Sequence, residues 1–187
     1  MSTKKLQVSS LHGILVHHFE DLISNNGKDY VNALIALKRK GIVKKIGVSL
    51  YDIRDLKKII KFWKPDIIQV PYNVFDQRLH NTSFLKIIKK NKIEVHARSI
   101  FLQGLLTRKS KNKKFKKWNN FFESWFLWCE KKKIEPYQAA YLFVKKNKNI
   151  NKIIIGVENL KQIKNILCQM ELILIFWVEK IITVSIN

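Results

Sequence analysis

The chain has 187 residues, of which 47% are hydrophobic and 11% aromatic, so its composition excludes a disordered protein and its length suits one domain with a real core. Lysine and arginine number 36 against 14 acidic residues, and the resulting formal net charge of +22 raises the question of an anionic partner. No apolar segment follows Met1, and the longest apolar run, residues 172–178, is far shorter than the roughly 20 residues that cross a bilayer, so we expect a soluble, cytoplasmic protein with no membrane partner.

Short apolar runs alternate with amphipathic stretches along the chain. The predicted elements, in chain order, are a strand at 13–17, a helix at 29–40, a strand at 45–49, a helix from Asp52 that ends before Pro65, a strand at 66–71, a helix at 79–91, a strand at 93–99, an aromatic-rich helix between 99 and 152, a helix from Pro136, a strand at 152–156 and a helix at 160–170. This alternation with short connections is typical of βα units, and therefore of an α/β fold with a parallel sheet.

The strand assignments depend on continuous apolar runs rather than on alternation, which is the pattern of a parallel sheet covered on both faces. The helix limits depend on terminal residues. Gly41 suits the position just after a helix end, Asp52 suits an N-cap, and Pro136 suits the first turn of a helix.

The basic charge has two interpretations. Lysines scatter along the whole chain and arginine is scarce, which favours a solvated lysine-rich surface over a site that reads phosphates or bases. Nucleic acid is therefore not favoured as a partner. Cys129 and Cys168 form no metal-binding or disulfide motif, and we predict two reduced thiols and no metal site.

Five segments resemble the aldo-keto reductase superfamily and occur in that family's order. They are GILVHH at 13–18, IGVSLYD at 46–52, PDIIQVPYNVFDQRL at 65–79, HARSIFLQGLL at 96–106 and IIIGVENLKQIKN at 153–165. Because the family is built on a (β/α)8 barrel, the resemblance implies an incomplete TIM-type barrel of about five parallel strands with flanking helices, formed by residues 1–170, and a tail of unclear role at 171–187.

The resemblance also implies roles for residues at the carboxyl ends of the strands. His17 matches the histidine that orients the substrate carbonyl, with His18 as the alternative. Ser49 and Gln69 match the residues that bind the nicotinamide carboxamide, although Leu50 stands where the family often has asparagine.

The remaining cofactor contacts follow in the same way. Arg98 stands where a tyrosine commonly stacks on the nicotinamide ring, which a guanidinium can also do. The positions matched to the cofactor phosphates and adenosine are Ser99, Gln103, Gly104, Gly156, Lys161 and Asn165. A lysine at 161 could neutralise a 2′-phosphate, which favours NADP as the cofactor, whereas Lys164 replaces a frequent glutamate of the family.

The resemblance further implies that the family's catalytic aspartate, tyrosine and lysine have no counterpart here. We therefore expect an NADP-dependent oxidoreductase acting on an aldehyde or ketone that is truncated and has weak or no activity alone. The alternatives are the C-terminal half of a split reductase that needs a separate N-terminal chain, and a basic module that binds nucleic acid or an anionic surface. In such an open sheet, residues 13–17 and 152–156 would be unpaired edges that invite self-association.

Overall fold

The computed structural model describes residues 7–109, 113–157 and 182–184. These residues belong to two compact units. Unit one contains residues 7–71, 78–96 and 182–184, and unit two contains residues 72–77, 97–109 and 113–157.

The strands form one sheet in the order β5-β4-β3-β2-β1-β6. They are β1 (Leu11–Val16), β2 (Val43–Ser49), β3 (Ile67–Pro71), β4 (Glu94–Arg98), β5 (Lys152–Ile153) and β6 (Ile182–Val184). The first five follow the predicted parallel α/β arrangement, and β1 pairs in parallel with both β2 and β6.

Helices lie between successive strands. They are α1 (Phe19–Ile23), α2 (Gly27–Arg39), α3 (Leu56–Ile59), α4 (Thr82–Asn91), α5 (Asn119–Lys131) and α6 (Pro136–Lys145), with 3-10 turns at Ile53–Asp55, Arg78–His80 and Lys113–Trp118. Two of the predicted helix limits are confirmed in detail. Gly41 follows the end of α2 with φ +69°, and Pro136 opens α6.

The core of unit one is made by the apolar side chains of β1 to β3 and of the helices between them. Val48, Leu56, Ile59 and Ile68 are fully buried. Gly47 has a specific packing role here, because a Cβ atom at this position would lie 2.1 Å from the carbonyl oxygen of Ile67 on the paired strand. The glycine therefore permits the close approach of β2 and β3.

The core of unit two joins α5 and α6. Trp125, Phe126 and Cys129 of α5 form one buried cluster with Ala139 and Ala140 of α6. The Trp125 indole donates a hydrogen bond to the Leu106 carbonyl, with Nε1 and O 3.0 Å apart, which satisfies its buried N–H group.

The structure corrects several predicted limits. The strand expected at 152–156 has only two residues. The helix expected from Asp52 to Pro65 is a 3-10 turn followed by the four-residue α3, and α1 was not predicted. The continuous burial expected for every strand fails in β1, whose residues alternate between buried and half-buried.

The expected unpaired edge at residues 13–17 is also wrong, because β6 pairs with Ile14, Leu15 and Val16. The residues of β6 fall in the segment interpreted as a tail. The helix predicted at 160–170, with Lys161, Lys164, Asn165 and Cys168, lies outside the described residues.

Candidate functional site

In unit one, three predicted site residues occupy the carboxyl ends of neighbouring strands. His17 directly follows β1, Ser49 ends β2, and Gln69 lies opposite Ser49 in the parallel register of β3. Val16 pairs with Val48, so the residues that follow them are neighbours too. Paired residues of a parallel sheet point to the same face, so the Ser49 and Gln69 side chains share a face, and His17 follows β1 at the same rim of the sheet.

Two polar atoms at this rim have no hydrogen-bond partner in the described part of the chain. Ser49 is completely buried and its Oγ is unpaired, and the buried Nδ1 of His17 is likewise unpaired. A buried hydroxyl without a partner costs about 1–3 kcal/mol, so the arrangement favours a ligand that supplies polar groups. A carboxamide has both a donor and an acceptor and fits Ser49 together with Gln69.

His17 lies beside an aromatic hydroxyl. The Tyr51 Oη is 3.5 Å from His17 Nε2, and the two rings meet edge to face with centroids 6.2 Å apart. The neighbouring His18 is exposed and precedes α1. The position at the strand end thus belongs to His17, and Tyr51 provides a second polar hydrogen next to it.

Charged groups hold the segment that carries Tyr51. Arg78 donates from Nη2 to the Tyr51 carbonyl oxygen at 3.2 Å and pairs with Asp52 at 3.1 Å. The side-chain hydrogen bond from Arg54, together with the charges of Arg54 and Arg78, outweighs partial burial and lowers the pKa of Asp52 to about 2. Asp52 is therefore a carboxylate at neutral pH, and it ties the segment after β2 to the turn at Arg78–His80.

In unit two, Arg98 and Ser99 end β4 and begin a tight loop. Arg98 Nη1 donates to Ser99 Oγ at 3.2 Å. Ser99, Leu102, Gln103 and Gly104 all have positive φ, at 56°, 46°, 54° and 85°. Three of these residues are not glycine, and each such conformation costs about 1–3 kcal/mol, which is typical of functional loops.

Asn73 anchors this loop. It is buried and was not among the predicted site residues. Asn73 is 1% exposed, and its Nδ2 donates to the Ser99 carbonyl at 3.1 Å while its Oδ1 accepts from the amides of Phe75 and Asp76. The residue lies within the motif at 65–79, but no spacing rule indicates that its amide reaches Ser99.

The sequence also did not indicate a partly buried ionic cluster in unit one. Glu94 pairs with Lys45, its Oε1 lies 2.7 Å from His96 Nε2, and His12 Nε2 is 3.6 Å away. Burial alone would raise the pKa of Glu94, but the hydrogen bonds and charges of Lys45 and His96 lower it to about 2. His12, Lys45 and Glu94 are far apart in sequence, and the arrangement of their strands in the sheet brings them together.

The other predicted positions contribute less to a defined site. Gln103 and Gly156 are exposed, and a Cβ atom at Gly156 would meet nothing within 4 Å. Leu50, which replaces the family's frequent asparagine, is fully buried and donates its amide to the Gln69 carbonyl at 2.8 Å. In the described part of the chain no group of His, Cys, Asp or Glu side chains could hold a metal ion, and no helix is long and apolar enough to cross a membrane.

A family model described as the Aldo/keto reductase family matches residues 1–174. The chain is similar in structure to the aldo-keto reductase AKR11C1 from Bacillus halodurans. The apo form has a TM-score of 0.73 at 17% identity, covering 91% of this chain and 60% of that one. The holo form has a TM-score of 0.70 at 17% identity, covering 91% and 59%.

A third similar structure is the thermostable aldo-keto reductase Tm1743 in complex with the inhibitor epalrestat, with a TM-score of 0.61 at 20% identity, covering 87% of this chain and 55% of that one. This chain therefore spans about 60% or less of the length of these relatives. No curated protein sequence matches it.

Proposed function

The chain belongs to the aldo/keto reductase family, and from this membership we propose that its described residues form the cofactor side of an NADPH-dependent reductase acting on an aldehyde or ketone. The observation that carries the proposal is the position of His17, Ser49 and Gln69 at neighbouring strand ends, with polar atoms on His17 and Ser49 that lack a partner among the described residues. Active sites of (β/α)8 barrels are built at this end of the strands.

Each residue has a distinct role in this proposal. Ser49 and Gln69 would hold the carboxamide of the nicotinamide. His17 would donate a hydrogen bond to the substrate carbonyl oxygen and so orient the carbonyl group. When bound, the dihydronicotinamide would supply the hydride. The family resemblance assigns a contact with the nicotinamide ring to Arg98 and contacts with the cofactor phosphates to Ser99, Gln103 and Gly104.

Lys161 carries the preference for NADPH over NADH in this proposal. Its amine would neutralise the 2′-phosphate of the adenosine, a charge that NADH lacks. Replacing Lys161 by Ala should therefore weaken NADPH binding and leave NADH binding unchanged.

The proton for the carbonyl oxygen needs a separate donor. The resemblance implies that the family's catalytic aspartate, tyrosine and lysine are not supplied by the segments matched here. We propose that turnover requires a further barrel segment that carries them, either in the same polypeptide or in a partner chain. Positioned general acids contribute about 10²- to 10⁴-fold to rate, so the 187 residues alone should bind the cofactor without turnover.

Titration of the purified chain with NADPH, followed by the fluorescence of the dihydronicotinamide, tests the cofactor site. Ser49→Ala should weaken binding up to about tenfold, because one hydrogen bond contributes about 0.5–1.5 kcal/mol. Ser9→Ala is the matched control, since Ser9 is exposed and remote from the strand ends in sequence. Equal affinity of the Ser49→Ala and Ser9→Ala variants would refute the assignment of Ser49.

A further inference from the structure

Unit two presents four exposed aromatic side chains that we call the aromatic patch. They are Phe75, Trp118, Phe121 and Trp128, with 42%, 48%, 55% and 47% of their surface exposed. The Phe121 ring contacts both Phe75 and Trp118, with centroids 6.3 Å and 5.7 Å away. Trp128 lies seven residues after Phe121 in α5, which places it on the same side of the helix about two turns on.

The aromatic patch adjoins the core of the unit but stays exposed. The neighbouring side of α5 supplies Trp125, Phe126 and Cys129 to the buried cluster. A helix of a globular protein normally has one apolar side that packs and one polar side that is solvated. The apolar side of α5 therefore extends past the buried cluster to exposed rings, and exposed apolar patches of this kind mark interaction sites.

Basic residues flank the aromatic patch. Lys116 and Lys117 are exposed, and the Lys117 amine lies 5.6 Å from the centre of the Trp118 ring. Lys131 follows Trp128 by three residues and is also exposed. The segment 108–135 contains ten basic and three acidic residues, so the patch lies in a strongly positive stretch of chain.

The acidic residues of α5 lie away from the patch. Glu123 and Glu130 each follow a patch residue by two positions, which is about 200° around a helix. The charge on the patch side is therefore positive, whereas the carboxylates are on the far side. This separation matches a negatively charged partner.

We propose that the aromatic patch and its flanking lysines are a docking surface for an anionic phospholipid membrane. Trp and Phe side chains enter the boundary between headgroups and acyl chains, and lysines near the surface of an anionic leaflet add electrostatic attraction. The unit lies on the lipid without crossing it. This inference departs from the sequence-based expectation of no membrane partner, and it does not depend on the proposed reductase activity.

The ring geometry favours lipid over single-stranded nucleic acid. Nucleic-acid surfaces present open ring faces on which bases stack. Here Phe75 meets Phe121 and Phe122 edge to face, at interplanar angles of 76° and 80°. Trp128 stacks one face against Trp125 at 14°. Insertion into lipid needs apolar area and no free ring face, and only five of the 36 basic residues are arginine.

Co-sedimentation with vesicles tests the docking surface in the full chain. We expect binding to vesicles of phosphatidylcholine and phosphatidylserine, at least tenfold weaker binding to phosphatidylcholine alone, and a loss of binding as salt is raised. Equal binding to both compositions, or no binding to either, would overturn the proposal.

Two double variants distinguish vesicle binding at the aromatic patch from vesicle binding through the overall positive charge. Trp118→Ala with Lys117→Gln should lower vesicle binding at least tenfold, whereas Phe62→Ala with Lys61→Gln, an exposed aromatic and lysine of unit one, should have little effect. Circular dichroism melting confirms that both variants fold. Equal losses in the two pairs, or displacement of the chain from vesicles into a salt-resistant complex with a single-stranded oligonucleotide, would contradict lipid docking at this patch.

Discussion

Glu94 shows how single residues of this chain depend on contacts distant in sequence. Its carboxylate is held by Lys45 of β2 and His96 of β4, and only 11% of the side chain is exposed. Because the two partners favour the charged form more strongly than burial disfavours it, the pKa of Glu94 falls from 4.5 to about 2. The ionised form of the Glu94 carboxyl group therefore stabilises the folded state.

The pH dependence of stability follows from that shift. A carboxyl group whose pKa is lower in the folded state stabilises it above the unfolded pKa of 4.5, and this contribution is lost as pH falls toward 2. Glu94→Gln should lower the free energy of unfolding at neutral pH by about 1–3 kcal/mol, and the difference from wild type should shrink between these two pH values. Urea unfolding at pH 7 and pH 3 measures this difference in the free energy of unfolding. The variant Glu20→Gln is the control, because Glu20 is exposed. A deficit that is unchanged at low pH would show that Glu94 acts by packing alone.

The sequence indicated the residues at the rim but not the residues that join separate elements. His17, Ser49 and Gln69 follow apolar strands, and strand ends can be recognised from the change in composition. Asn73, Arg78 and Glu94 act across elements, and their partners depend on register and loop path, which local patterns do not contain. Tyr51 belongs to a recognised motif, yet its distance from His17 required the structure.

At the level of elements, the close approach of β2 and β3 depends on Gly47. Gly47→Ala would place Cβ 2.1 Å from the carbonyl oxygen of Ile67, and backbone cannot yield as a side chain can. We expect a loss of about 3 kcal/mol in the free energy of unfolding. Gly156→Ala is the matched control, because its Cβ meets nothing within 4 Å and should leave stability nearly unchanged. Similar melting temperatures for the two variants would show that β2 and β3 can move apart without a loss of stability.

The pairing of β6 with β1 makes a second prediction at this level. Removing residues 182–187 should expose the backbone edge of Ile14, Leu15 and Val16, and exposed edges pair with other chains. Sedimentation velocity should then show more self-association than in the full chain. An unchanged distribution of species would mean that β6 does not protect this edge.

The sequence predicted the strands more accurately than the helices. The apolar runs of β2, β3 and β4 were recognised within two residues of their limits, because buried parallel strands have a clear composition. β5 is shorter than its apolar run, and the helix predicted after Asp52 begins as a 3-10 turn and continues for only four α-helical residues. Such limits are decided by hydrogen bonding between neighbouring elements, such as the bond from the Ile154 amide to the Ala97 carbonyl at 2.8 Å.

At the level of the whole molecule, the family and the parallel α/β fold were predicted from five ordered segments and are confirmed. The net charge of +22 was interpreted as a solvated surface. Composition alone could not reveal that exposed aromatic rings lie beside some of the lysines, because exposure is a property of packing. An anionic membrane is proposed as a partner only because exposed aromatic rings lie beside some of the lysines.

The central claim is that these residues form the cofactor side of a reductase whose proton donor lies in another segment. Its most direct test measures NADPH oxidation with an aldehyde substrate, in the 187-residue chain alone and in a fusion with a family barrel segment that carries the aspartate, tyrosine and lysine. We expect no turnover from the chain alone, and turnover from the fusion that His17→Ala abolishes. Robust NADPH oxidation by the 187-residue chain, lost in its His17→Ala variant, would contradict the claim and make Tyr51, 3.5 Å from His17, the first residue to replace.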